Sequence, residues 1–347
     1  MIILKKKKYF IIGIVLLVSI FGLWIWKTDG QYNYNNQKKK VKGVETKTIA
    51  SKNNKNFIKT NKNFFPIAIS SINYIPFKKK NFQELKIPSA HAGAIIDVDS
   101  GKILWEKNGS QRRQIASLTK IMTAIVVINK ISHLEKEVVT IGDEIYIEGT
   151  KIGCPRSGYC NSPRLKKGEK IYALDLLKAM LMNSANDAAT ALGKHIGGSI
   201  EGFALLMNQK VEELGLKNTH FCTPSGLEID GKEKEGYSSA IDLARIASYS
   251  MKYPLIWNIF RIPNAEIYSV DKKFSHKIFN TDRLLNQMAG CLGGKTGFTP
   301  LAGRSLMVGA IDRTNKHRII LVLLDDPYRW QDIQSMAEWT WNNYEWK

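Results

Sequence analysis

The stretch Ser117 to Ile131, SLTKIMTAIVVINKI, is apolar on almost every side and carries neither Gly nor Pro. A helix that is hydrophobic all round has to be enclosed by other elements. A Ser at its first position also suits the orphan N–H groups of a helix start, so the segment predicts a central buried helix. Upstream, Ala92 to Asn108 (AGAIIDVDSGKILWEKN) holds two apolar runs around Asp99-Ser100-Gly101, which is hairpin chemistry. Downstream, helices are expected at Leu174–Met182, Asp187–His195, Glu201–Leu214, Ala240–Lys252 and near Asp332–Trp341. The pattern then turns to strands: KIFN (Lys277 to Asn280), GCLGGKTG (Gly290 to Gly297), SLMVGAID (Ser305 to Asp312) and HRIILVLLDD (His317 to Asp326). Short turns join these runs, so the expected fold class is α+β. An antiparallel sheet is flanked by helices, with a helical subdomain inserted between the first hairpin and the later strands.

Composition agrees with a sizeable core. The 347 residues are 44% hydrophobic and 24% charged with four Cys, which excludes a disulfide-stapled miniprotein and a disordered tail. The net charge of +20 raises the question of a nucleic-acid partner, but the charge is segregated. Residues 1–86 hold eighteen Lys and only Asp29, Glu45 and Glu84 as acids, a balance of +15 that leaves +5 for residues 87–347. A nearly balanced folded part gives no support to a basic nucleic-acid groove.

The N-terminal segment explains the excess. A basic stub, residues 1–8, precedes Tyr9 to Trp26 (YFIIGIVLLVSIFGLWIW), eighteen residues without a charge. As a helix these would span about 27 Å, close to the hydrocarbon thickness of a bilayer. Lys5 to Lys8 should stay cytoplasmic, with Trp24 and Trp26 at the far interface, so residues after Lys27 are expected on the extracytoplasmic side of the cell membrane. Trp24-Ile25-Trp26-Lys27-Thr28 is a poor cleavage site, so a retained single-pass transmembrane helix is favoured over a cleaved signal. Residues 27–86 contain fourteen Lys and ten Asn and read as a linker, of reach on the order of 40 Å if a flexible coil. Within it FFPIAISSINYIPF (Phe64 to Phe77) is apolar enough to form a strand or to pack on the domain, which is expected over 87–347.

Ser117-Leu118-Thr119-Lys120 places a hydroxyl and an amine three residues apart, on one face of a helix start. A Ser hydroxyl is inert near neutral pH unless a base removes its proton. A Lys desolvated beside another cation can be neutral enough to do so. Taken alone the pattern is common, and a helix cap beside a solvated lysine explains it. Two further motifs change the balance: Ser184-Ala185-Asn186 at the junction of two apolar helical runs, and Lys295-Thr296-Gly297 in an expected strand. S-x-x-K, S-x-N and K-T-G in this order form the constellation of the serine penicillin-recognising enzymes.

Longer segments carry the likeness further: IASLTKIMTAIVVI, LLKAMLMNSANDAATAL, FALLMNQKVEELGLKNTHFCTPSGL, YSSAIDLARIA and GGKTGFTPLAGRSLMVGA. Over roughly residues 87–345 the chain resembles the low-molecular-mass penicillin-binding proteins of the serine D-alanyl-D-alanine carboxypeptidase family. The resemblance implies a β-lactamase/transpeptidase-like, penicilloyl-serine transferase fold, with a peptidoglycan stem peptide as substrate, β-lactams as covalent inhibitors and neither metal nor organic cofactor. It implies that Ser117 is the nucleophile, Lys120 its base and Ser184 a proton relay. Asn186 would bind the substrate backbone, Lys295 and Thr296 the terminal carboxylate, and Gly297 would let substrate lie along the strand. The backbone N–H groups of Ser117 and Phe298 would form the oxyanion hole.

There are departures from the family pattern. Ala185 stands where Gly is usual, Thr223 replaces an Asn, and Leu292-Gly293 replaces an Asp-Gly pair. Only fifty residues follow Gly297, so the C-terminal β-rich domain of many members is not expected, and the anchor is expected at the N-terminus. Arg329-Trp330-Gln331-Asp332 resembles the family's Arg-aromatic-x-Asp ending, and the Trp-rich tail is expected to pack on the sheet. The same residues would serve a D,D-endopeptidase of cross-links. A class A β-lactamase would need a deacylating carboxylate, and no Glu-x-x-x-Asn occurs between Glu201 and Lys232. A non-catalytic wall-binding protein sits poorly with intact Ser117, Lys120, Ser184 and Lys295. Cys154 and Cys160 are expected as a loop disulfide of the exported domain, and Cys222 and Cys291 as buried small hydrophobes.

Overall fold

The computed structural model describes residues 74–155, 158–231 and 235–347. Strand β1 (Pro76–Lys78) precedes the hairpin of β2 (Ala92–Asp97) and β3 (Ile103–Lys107). A 3-10 turn over Ala116–Thr119 runs directly into helix α1 (Lys120–Lys130). Next come β4 (Val138–Thr140), β5 (Lys170–Tyr172) and the helices α2 (Ala173–Met182), α3 (Asn186–Gly197), α4 (Ile200–Glu213), α5 (Ala240–Ser250) and α6 (Pro254–Phe260). A second hairpin, β6 (Asn264–Tyr268) with β7 (Ser275–Phe279), leads into β8 (Cys291–Thr299), β9 (Gly303–Ile311) and β10 (Arg318–Leu324). Helix α7 (Arg329–Asn343) and β11 (Tyr344–Trp346) close the chain.

The main sheet is antiparallel with strand order β3-β2-β10-β9-β8. Its central strand explains its sequence. In β10, RIILVLL, Ile320, Val322 and Leu324 join the core shared with α1 and the other helices of the subdomain, while Ile319, Leu321 and Leu323 join the core under α7. Alternate side chains point to opposite faces, and both faces are covered, so the strand reads as an unbroken apolar run. Each such buried side chain contributes roughly 1.5–3 kcal/mol. Helix α1 lies in the subdomain core, with Ile121 to Val127 all buried, as its all-round apolar pattern requires. Beside it α4 and α5 are started by Ser199 and Ser239, whose hydroxyls accept from the N–H groups of Gly202 (2.9 Å) and Asp242 (3.2 Å).

Three expectations are corrected. Ser117 does not cap the helix: no side-chain cap forms there, the helix proper begins at Lys120, and Ser117 sits within the 3-10 turn. KIFN lies outside the main sheet; Ser275–Phe279 pairs with Asn264–Tyr268, and Ile278 and Ile267 are buried in the helical subdomain. The linker does not extend to residue 86. Pro76–Lys78 pairs antiparallel with Tyr344–Trp346, Lys102 Nζ donates to the Pro76 carbonyl (2.7 Å), and Trp339 Nε1 donates to that of Gln83 (2.7 Å). The apolar stretch ending at Phe77, read as a strand or as packing on the domain, runs into this short strand, whose partner is the last one in the sequence. Among the described residues no helix is long and apolar enough to cross a bilayer. The expected basic stub, membrane segment and first part of the linker lie outside the described residues.

Candidate active site

The first motif is built by the 3-10 turn that precedes α1. In a 3-10 turn residues i and i+3 eclipse one another, so Ala116–Thr119 brings the Ser117 hydroxyl and the Lys120 amine into line, 2.7 Å apart. The turn is held under constraint: Ala116, just before Ser117, has φ 47°, a conformation few side-chain-bearing residues adopt. Two glycines make room for it. A Cβ on Gly226, itself at φ +79°, would come within 2.0 Å of the Ala116 carbonyl oxygen. A Cβ on Gly297 would come within 2.9 Å of the Ile115 oxygen. Gly297 therefore brings the edge strand β8 against the 3-10 turn that carries Ser117.

Lys120 is fully buried, and its Nζ has three neighbours: Ser117 Oγ, Asn186 Oδ1 at 2.8 Å and the Ser225 carbonyl at 2.6 Å. The Asn186 orientation follows from its amide Nδ2, which donates to the Glu148 carbonyl at 2.9 Å. Two of the three neighbours can therefore only accept. A neutral Lys120 amine has two N–H bonds, which these two acceptors take, and one lone pair, which is left facing the Ser117 hydroxyl. Burial lowers the Lys120 pKa well below its ordinary value, the Lys295 cation lowers it further, and the Asp187 carboxylate opposes both. Asp187 is itself buried and raised to about 6 by desolvation, against hydrogen bonds from the N–H groups of Ile152 and Ala188.

Ser184 is in the left-handed region at φ 60°, in the bend between α2 and α3, and its hydroxyl accepts from Lys295 Nζ at 2.8 Å. Lys295 is also fully buried and donates to the Thr296 carbonyl at 3.0 Å. Burial pulls its pKa down to about 7, with Asp282 opposing and Arg329 assisting. The Thr296 hydroxyl meets that of Thr281 at 2.8 Å. The structure thus brings all eight sequence-named residues together. Ser117, Ser184, Asn186, Thr296, Gly297 and Phe298 line a cleft of about 370 Å³, and Lys120 and Lys295 lie beneath them. Phe298 is exposed on the edge strand. No Asp or Glu is among the described residues lining the cleft.

Sequence reasoning left several partners unnamed. Ser225 supplies a carbonyl to Lys120, Thr281 a hydroxyl to Thr296, and Arg329, read only as part of a packed tail, lines the cleft. Thr150 holds the bend of the second motif: its hydroxyl donates to the Ser184 carbonyl (2.7 Å), and its carbonyl accepts from Asn186 N–H (2.8 Å). The Thr-Pro-Ser-Gly stretch was a usable signal for Ser225 and Gly226; nothing local marks Thr150 or Thr281. The departures are accommodated. Ala185 has φ −61°, which needs no Gly, and its methyl is buried in the subdomain core. Thr223 Oγ1 accepts from Gly226 N–H (3.0 Å) and donates to the Leu227 carbonyl (3.1 Å), holding the turn that carries Ser225. Leu292-Gly293 falls at a bulge in β8, with Gly293 at φ +97°. The Cys154–Cys160 disulfide is present, and Pro155 inside its loop lines the cleft. Cys222 and Cys291 are half-buried rather than buried, and burial pushes the Cys291 thiol up to about 12.

Residues 78–328 match the family model of D-alanyl-D-alanine carboxypeptidases. The chain is 33% identical over 261 residues to the D-alanyl-D-alanine carboxypeptidase DacF of Bacillus subtilis, covering 74% of this chain and 63% of that protein. It is 33% identical over 264 residues to DacA of Escherichia coli K12, covering 73% and 60%. It therefore spans about three fifths of the length of these curated relatives. The solved structure of a D-alanyl-D-alanine carboxypeptidase from Mycobacterium tuberculosis superposes with a TM-score of 0.66 at 26% identity, covering 77% of this chain and 96% of the other. Motif order, sheet architecture and sequence match converge, and the chain belongs to the D-alanyl-D-alanine carboxypeptidase family.

Proposed function

We propose that this protein is a serine D-alanyl-D-alanine carboxypeptidase that removes the terminal D-Ala from peptidoglycan stem pentapeptides and is acylated by β-lactams. The observation that carries this reading is the Lys120 amine, buried with two acceptor-only partners so that its lone pair is left for Ser117. In the reaction, Lys120 takes the hydroxyl proton as Ser117 Oγ bonds to the carbonyl carbon of the penultimate D-Ala. The carbonyl electrons move to oxygen, where the N–H groups of Ser117 and Phe298 stabilise them by several kcal/mol. Collapse breaks the C–N bond, and the leaving amine gains a proton through Ser184, which the Lys295 ammonium polarises. Thr296 and Lys295 hold the leaving residue's carboxylate. A water then attacks the ester, giving up its proton as Ser117 Oγ recovers one. Among the described residues lining the cleft there is no carboxylate to drive that water, which favours a persistent penicilloyl adduct over β-lactamase turnover.

The same reading keeps the protein at the extracytoplasmic face of the cell membrane, anchored through Tyr9 to Trp26 and tethered by the Lys/Asn-rich stretch, with no nucleic-acid partner. The test is free D-alanine released from a stem pentapeptide by the wild-type chain and by Ser117→Ala. Release by the wild type alone is expected. Cleaved muropeptide dimers without release from pentapeptide would replace carboxypeptidase by endopeptidase, and neither product would contradict the reading.

A further inference from the structure

Beyond Thr296 the cleft opens into a second, larger cavity of about 1230 Å³ that shares Pro155, Thr281, Thr296, Phe298 and Arg329 with it. Its wall carries three guanidinium groups. Arg283 lies in the segment before β8, Arg304 stands across the ladder from Phe298 at the start of β9, and Arg329 begins α7. None of the three has an ion-pair partner among the described residues. Arg329 Nε and Nη1 are buried without a hydrogen-bond partner. Arg329 is lowered to about 10, first by burial and then by the cations Arg304 and Arg283, with the Asp326 carboxylate opposing. Arg283 and Arg329 both approach the Trp330 ring, at 5.8 and 5.1 Å from its centroid. No Asp or Glu is among the described residues lining this cavity, and Asp282 and Asp326 are buried, the first acting on Lys295 and the second on Arg329. Three like charges around one cavity repel each other, an arrangement an anion in the cavity would reverse.

We propose that this cavity is a leaving-side subsite for a second carboxylate, and that Arg283 and Arg304 select substrates whose leaving residue carries one on its side chain. The proposal rests on the reading of the site as a D,D-peptidase: with the leaving residue's own carboxylate against Thr296, anything on that residue larger than a methyl group has the adjoining cavity to enter. A single D-alanine needs none of this space. A peptidic leaving group, such as one arm of a cross-link, would use it.

The test is binding of two acyl-D-Ala-D-X peptides, X being D-glutamate or its neutral isostere D-glutamine, to the full detergent-solubilised chain carrying Ser117→Ala. We expect about fivefold tighter binding of the D-glutamate peptide, as for charge-assisted pairs in a partly open site. Adding Arg283→Gln and Arg304→Gln together should bring the ratio to about one. Equal affinities at the outset, or a preference that survives the double substitution, overturn the proposal. Fluorescent-penicillin labelling of the chain with Ser117 intact keeps the two readings separate. Labelling without the D-glutamate preference removes the subsite alone, whereas the preference and its loss without labelling leave the subsite and remove the peptidase.

Discussion

Proton inventory at Lys120 and Lys295 is what turns three short motifs into a reactive site. Both amines are fully buried, and the Lys295 cation adds to the burial that lowers the Lys120 pKa. That setting suits the proposed roles of Lys120 as base and Lys295 as carboxylate binder. Lys120→Ala should therefore reduce acylation by fluorescent penicillin by about 10²–10⁴-fold, while circular dichroism still reports a folded domain. The pH profile follows with the same sign. As the pH falls Lys120 regains its proton and acylation falls. Above about 7 Lys295 loses its own, so kcat/KM for a peptide with a free terminal carboxylate should fall. Lys295→Arg, which stays charged, should move that alkaline fall to higher pH in a stopped assay of D-alanine release. An unmoved limb would take the carboxylate role from Lys295.

At the level of elements, periodicity made most of the fold legible. The apolar run of α1 and the unbroken RIILVLL of β10 were readable because their burial on all sides erases any polar face. The 3-10 turn was not, since a one-turn change of winding leaves no compositional trace and Ser117 looked like an ordinary cap. Lys277–Asn280 likewise carried strand chemistry without any mark of which strand it pairs with. The nucleophile turn also depends on a remote loop. Gly226 faces the Ala116 carbonyl at a distance no side chain permits, and at a positive φ. Gly226→Ala should destabilise the domain by about 2–3 kcal/mol and slow acylation as well, because relieving the clash displaces the turn that aligns Ser117 with Lys120. Thermal melts together with penicillin labelling measure both effects, and a change in stability with unaltered acylation would uncouple loop from turn.

For the whole molecule, the two ends of the domain are one structure. Strand β1 completes β11, and Tyr344 OH donates to the Leu104 carbonyl while Trp346 Nε1 donates to Asp97 Oδ1 (2.8 Å each), tying the pair to the first hairpin. Composition marked this only in part: the apolar stretch ending at Phe77 was legible, while the four lysines at 78–80 and 86 carried the linker reading past it. A chain starting at residue 87 should melt about 5 °C or more below one starting at 74, as expected for losing a few kcal/mol from a domain of this size, and equal melting temperatures would return the segment to the linker. The site residues, in contrast, were named from sequence because their chemistry requires particular side chains at fixed spacing, while their backbone partners, Ser225 and Glu148, could belong to any residue type. The most direct trial of the central claim is intact-mass and peptide-mapping mass spectrometry of the full chain after exposure to benzylpenicillin. One penicilloyl group on Ser117, absent from both Ser117→Ala and Lys120→Ala, is the predicted result; an adduct elsewhere, or undiminished labelling of Lys120→Ala, would contradict it.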